Sequence, residues 1–224
     1  MKSKLFALAF LLLPLIGSSQ AFMPSTMDFA NKKTAYLYLE NGEKITCRII
    51  GLKWKKGSIA GIKIEDLDGN KIKLAPEVIS HFYAPPSGLS KLGNILDFMD
   101  DPNSWGDTDL DKTLLGEKLA YFEKTAVKVK KKEFTLCMQI LNPTYCKKMR
   151  VYSDNRADEG MLGDPKSYFI KKEGEKTAYL IEKKNYKKEF AQIFSDCPEV
   201  LEKFGADVKW RDFEKHVWLY DQSK

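Results

Sequence analysis

Two histidines, His81 and His216, are all that the 224 residues contain. Neither falls in H-E-x-x-H or a comparable ligand pattern, so a histidine-built metal centre has no support in the sequence. No G-x-S-x-G elbow is present, which removes the usual setting of a serine nucleophile. The four cysteines, Cys47, Cys137, Cys146 and Cys197, include no C-x-x-C pair, so thiol-redox and zinc-ribbon chemistry lack a motif. The positive excess is mild, a net +6 spread along the chain, and no recognition motif accompanies it. Nucleic acid is therefore not an expected partner. Beyond the first 21 residues no apolar run is long enough to cross a bilayer as a helix. No catalytic, cofactor-binding or metal-ligating residue can be assigned from these patterns.

The beginning of the chain carries the clearest signal. Lys2 and Lys4 precede the apolar run Leu5 to Ile16, and Gly17-Ser18-Ser19-Gln20-Ala21 follows. Charge, apolar run and small residues in that order describe a secretory signal peptide over residues 1–21. The run is too short for a membrane span, which needs about 20 residues. Ser19 and Ala21 satisfy the small-residue rule, which places cleavage after Ala21, with Ser19 as the alternative. Removal of the two lysines takes the net charge from +6 to +4. The mature chain is then expected in the periplasm, on the outer membrane or outside the cell, with no transmembrane segment. Export permits disulfides, and four cysteines allow three complete pairings. If Asn142-Pro143-Thr144 is a hairpin loop, Leu141 faces Tyr145 and Cys137 faces Met149, not Cys146. Free buried thiols are the other reading.

Residues 22–31 read as a polar lead-in. Residues 32–86 read as a small β-rich, barrel-like domain. Its strands lie at Ala35–Leu39, around Ile45-Cys47-Ile49, around Ile59-Ile62-Ile64, at Ile72 and Leu74, and at Ser80–Tyr83. Asn41-Gly42 and Asp68-Gly69 supply hairpin turns, because these pairs tolerate φ > 0. Pro76 opens a single helical turn. Residues 87–117 read as a connector with a short helix (Leu89, Leu92, Ile95, Leu96, Met99). Residues 118–224 read as a mainly antiparallel sheet followed by helices. The strands fall at Leu119–Phe122, Phe134–Leu141, Met149–Tyr152, Tyr168–Ile170 and Thr177–Ile181. Three apolar stripes then follow helical spacing: Tyr186, Phe190, Ile193 and Phe194; Val200, Leu201 and Phe204; Trp210, Phe213, Val217 and Tyr220. Asn185 and Cys197 stand at the helix starts, and Gly205 at an end. The expected fold class is α+β.

A few residues invite chemistry. Asp107-Thr108-Asp109-Leu110-Asp111 has the alternate-oxygen spacing of a calcium loop. Lys112 stands where that loop needs Gly, and Lys118 where it needs Glu. Cys197 at a helix start is the cysteine most open to thiolate chemistry. Lys128-Val129-Lys130-Lys131-Lys132 is the densest basic run, read as a solvated strand or loop or as a contact for an anionic surface.

Part of the second half resembles uncharacterised exported proteins of Bacteroidetes-type bacteria. The resemblance rests on Met138-Gln139-x-Leu141-Asn142-Pro143, Lys148-x-Arg150-Val151-Tyr152-x-Asp154 and Lys166-Ser167-Tyr168-Phe169. It continues through Lys183-Lys184-Asn185-Tyr186-Lys187-Lys188-Glu189-Phe190 and Asp196-Cys197-Pro198. It implies a Gram-negative envelope or secreted location and no activity, so no functional residue is carried over. The expected function is a non-enzymatic envelope module that binds a protein or an anionic surface component. The alternatives are an exported hydrolase with a site of scattered carboxylates, and a redox protein using Cys197.

Overall fold

The Asn41-Gly42 turn does what its residues allow. Gly42 sits at φ 86°, and β1 (Ala35–Leu39) folds back on β2 (Lys44–Lys55) with Leu37 opposite Ile45. β2 pairs with β3 (Ser58–Asp66), and the register slips between Ile49 and Gly51 and between Lys53 and Trp54. Such irregularities increase twist and bend a ribbon. β4 (Lys71–Leu74) is a short edge whose Lys71 and Lys73 are exposed, a composition that discourages pairing with another chain. The Pro76–Val78 turn leads into β5 (Ile79–Ala84), which pairs with β1.

The computed structural model describes residues 22–55, 57–87, 99–129, 131–154 and 165–223. The signal-peptide expectation, the connector helix up to Leu96 and the middle of the 153–166 loop lie outside the described residues.

After the helical turn α1 (Lys112–Gly116), β5 passes its other edge to β6 (Ala120–Val129). β6 turns into β7 (Lys132–Gln139), and β7 meets β3 through the bridge Ile59–Cys137. The path β3-β2-β1-β5-β6-β7 thereby returns to its start. Its interior holds Leu37, Ile59, Ile64, Ile79, Phe82 and Phe122 among other buried apolar side chains. Phe82 and Phe122 are cross-strand partners whose rings stack at 4.7 Å.

The far half of β6 pairs in parallel with β10 (Thr177–Glu182), then β9 (Ser167–Lys172) and β8 (Met149–Ser153) follow. The whole is one large mixed sheet with C-terminal helices, an α+β fold. α2 (Tyr186–Ile193), α3 (Pro198–Phe204) and α4 (Phe213–Gln222) form a second core against Val151, Ile170 and Ile181. All three predicted apolar stripes turn inward, and Asp68-Gly69 and Pro76 act as read.

Several local expectations are corrected. Residues 22–31 are not a polar lead-in: Phe22, Met23, Thr26 and Phe29 are buried. Phe29 meets Phe82 and Phe122 edge-on, and the Gln139 side chain satisfies both Thr26 N–H and the Pro24 carbonyl. Three apolar residues without periodicity gave no signal of this. The Asn142-Pro143-Thr144 hairpin is not formed either. Leu141 N–H donates to the Val151 carbonyl, and residues 142–148 make a wider loop around the Asn142 side chain. Cys137 therefore faces Lys124 and Ile59 rather than Met149. All four cysteines are buried and free. Asn185 holds the N-cap position of α2, but its side chain makes no capping bond and donates instead to Glu182.

His216 sits at the centre of the second core, with Tyr186 OH 2.6 Å from Nδ1 and Phe190, Phe194 and Phe204 around the ring. Burial lowers its pKa to about 4, with Asp212 opposing the shift and Lys215 adding to it. The folded chain keeps this ring neutral while the unfolded chain protonates it near 6.5. Stability is therefore complete above pH 6.5 and falls as the pH drops from there towards 4. The loss is about 3 kcal/mol, since one unit corresponds to about 1.36 kcal/mol. Urea midpoints for wild type and His216→Phe across pH 4–7 test this. Parallel curves would count against it.

Candidate functional site

Strand alternation brings Tyr121, Glu123 and Thr125 onto one face of β6. It does the same for Arg150 and Tyr152 on β8, and for Phe169 and Lys171 on β9. The register sets Arg150 directly opposite Lys171. Like charges in that position repel. Glu123, only 7% exposed, resolves the conflict by binding both. Oε2 accepts from Arg150 Nη1, while Oε1 accepts from Lys171 Nζ at 2.9 Å, from Tyr152 OH and from Thr125 Oγ1 at 3.2 Å. Lys171 Nζ also lies 5.4 Å from the centroid of the Tyr152 ring.

Burial alone would push the Glu123 carboxyl up. The Arg150 and Lys171 charges and the Tyr152 hydroxyl more than offset this and hold it below the ordinary value. Tyr152 is driven well up, first by burial and then by the Glu123 charge. Glu123 is thus a fixed, ionised anchor.

The outer sides of these cations open on a cavity of about 230 Å³, lined by Lys147, Arg150, Lys171 and Lys172 with Asp109, Glu173 and Glu175. Asp109, whose side chain is 56% exposed, holds Arg150 Nη2 at 2.6 Å. Lys147 is bound to Asp107 at 2.8 Å, and Lys172 to Asp196 at 2.6 Å. A second, larger and more open hollow of about 400 Å³ is bordered by Lys32, Lys33, Lys118 and Glu117. No anchored charge comparable to Glu123 lines it.

The residues singled out in the sequence go elsewhere. The acids of the calcium-like run diverge: Asp107 binds Lys147, Asp109 binds Arg150, and Asp111 caps α1 through the N–H groups of Thr113 and Leu114. Among the described residues no three potential ligands converge on a metal position. His81 stacks on Tyr38 at 4.3 Å, and burial lowers its pKa, with Glu123 opposing and Arg150 adding to the shift. Cys197 is buried at the α3 N-cap position and makes no capping bond. Burial pushes the thiols of Cys47, Cys137 and Cys146 up to about 12, which keeps them protonated and unreactive. Lys128, Lys131 and Lys132 are exposed around the β6–β7 turn. The Glu123 cluster was missed. The available signal was a lone Glu inside the otherwise aromatic run Tyr121-Phe122-Glu123.

The fold and cleft together define an α+β sheet protein that sets paired cations over a buried carboxylate. No protein-family model, curated protein or solved structure matches the chain. Among the described residues no helix is long and apolar enough to cross a membrane.

Proposed function

We propose that the chain is an exported envelope protein, periplasmic or bound at the outer membrane, whose Arg150–Lys171 cleft binds an anionic group of an envelope component. The observation that carries this is the pairing of Arg150 and Lys171 on adjacent strands over Glu123. Two cations fixed side by side, with outer N–H groups facing a cavity, suit a carboxylate or phosphate. Asp109 is the group such a ligand displaces from Arg150. It is exposed, and an exposed ion pair contributes only about 0–1 kcal/mol. The signal-peptide pattern and the resemblance to exported proteins support the location. We also read the six-strand path closed by β7 as a small barrel, one that differs from the barrel expected within residues 32–86 because β6 and β7 of the second block complete it and β4 lies outside it. An alternative hydrolase needs a carboxyl free to exchange a proton, and Glu123 is committed to five donors, Arg150, Lys171 and the hydroxyls of Tyr152, Thr125 and Tyr121.

Titration of the mature protein with inorganic phosphate, a sugar phosphate and a uronic-acid oligosaccharide tests the reading. Binding should weaken with salt and fall about tenfold in Lys171→Met, a loss of about 1.4 kcal/mol. Asp109→Asn should tighten it severalfold. No binding of any of the three at low ionic strength would overturn the proposal, as would an affinity indifferent to Asp109 and Lys171.

A further inference from the structure

Phe22 is 6% exposed and is held by three rings, at 6.5 Å from Tyr145, 5.5 Å from Tyr168 and 5.7 Å from Phe213. Met23 N–H donates to the Leu141 carbonyl at 2.6 Å. The Phe22 backbone N–H itself donates to the carboxylate of Glu214 on α4. Glu214 is largely buried, and among the described residues it has no ion-pair partner. The adjacent Lys215 is taken by Asp212 at 2.7 Å. Burial raises the Glu214 pKa, and the Phe22 N–H and the Lys215 charge only partly oppose it. The buried Tyr145 hydroxyl has no hydrogen-bond partner among the described residues, and Glu214 is the largest charge acting on it. A carboxylate whose charge is disfavoured by burial therefore lies against the backbone nitrogen that follows Ala21. Ala21 is the residue after which the small-residue rule places cleavage.

We infer that Phe22 is the N-terminal residue of the working protein, and that its α-ammonium pairs with the Glu214 carboxylate to lock residues 22–29 into the core. The inference rests on the export reading above. A leader endopeptidase hydrolyses the Ala21–Phe22 bond with one water, leaving a carboxylate on Ala21 and an amine on Phe22 that protonates at neutral pH. One N–H donor becomes a cation with three, in contact with a carboxylate that lacks a counter-charge. A charge-assisted bond replaces a neutral one, and the cost of burying Glu214 is offset. Because Phe22 is enclosed in the fold, cleavage precedes docking of the segment. Processing and completion of the core are then coupled.

The test has two arms. Intact mass and N-terminal sequencing of the chain from the envelope fraction of expressing cells should give Phe22. Separately, the chain is released from a fusion by a protease that leaves Phe22 first, and is compared with a Gly-Ser extended form, each with and without Glu214→Gln. The extension should lower Tm by about 4 °C in the wild type, on the scale of about 2–4 °C for each kcal/mol in a chain of this size. It should change Tm little in Glu214→Gln. A chain retaining Met1 in the cytoplasm would overturn the export reading together with this one. An envelope chain beginning at Gln20 would overturn this inference alone. Equal Tm for the two N-termini would do so too, as would an extension effect that persists in Glu214→Gln.

Discussion

Replacing Arg150 by Met is expected to destabilise the fold by about 3 kcal/mol, the cost of removing one of the two counter-charges of a buried carboxylate. Glu123 would keep only Lys171 as counter-charge, together with the Tyr152 and Thr125 hydroxyls. The lost Asp109 pair adds little, because Asp109 is exposed. The origin of the cost is separable. In the double variant Arg150→Met/Glu123→Gln no buried carboxylate remains, and at least half of the stability should return. The pH dependence gives a second handle. The folded pKa of Glu123 lies below its unfolded value. Its contribution is therefore present above the unfolded carboxyl pKa, near 4.3, and is lost as the pH falls through the folded value. The acid limb of the stability curve below about pH 4.3 should flatten in Glu123→Gln. Urea unfolding of the three variants between pH 3 and 7 measures both effects. A loss under about 1 kcal/mol in Arg150→Met, with the acid limb unchanged in Glu123→Gln, would show that the network does not hold the fold.

Asn142→Leu should cost about 4 kcal/mol, because each buried backbone group left unpaired costs about 1–3 kcal/mol. The Asn142 amide nitrogen donates to the carbonyls of Tyr145 and Met149, both at 2.8 Å, and its oxygen accepts from Val151 N–H at 2.9 Å. The side chain is fully buried. It stands in for a strand between the end of β7 and the start of β8. Leu has the same number of side-chain heavy atoms but is bulkier, so the loss combines missing hydrogen bonds with overpacking and includes no cavity. Denaturation midpoints give the magnitude, and hydrogen exchange at Val151 gives the location. A protected Val151 amide in a variant of wild-type stability would contradict the assignment. Loosening this loop also frees Cys146 and Lys147, so cleft geometry depends on a residue that never touches it.

Local structure was largely legible. Asn41-Gly42 and Asp68-Gly69 made their turns because few residues accept positive φ, and both glycines adopt it. The α4 stripe packed inward because period 3.6 puts Phe213, Val217 and Tyr220 on one side. The burial of Phe22 and Phe29 left no such trace, since an irregular segment has no period to read. The site was illegible for a related reason. Arg150 and Lys171 are 21 positions apart in sequence and face each other only through the β8–β9 register. Glu123 reaches them because β10 joins β6 in parallel, a pairing that no turn encodes.

By itself the sequence determined most of the elements and which faces are apolar, though β6 runs on to Val129, seven residues past the strand read at Leu119–Phe122, and α1 gave no signal. Those properties depend on backbone conformation and periodicity, which are local. The closure of β7 on β3, the burial of the leading segment, and the meeting of Glu123 with Arg150 and Lys171 belong to the tertiary structure alone. Each depends on strand order and register, which are set by the packing of the whole sheet and not by any stretch of the chain.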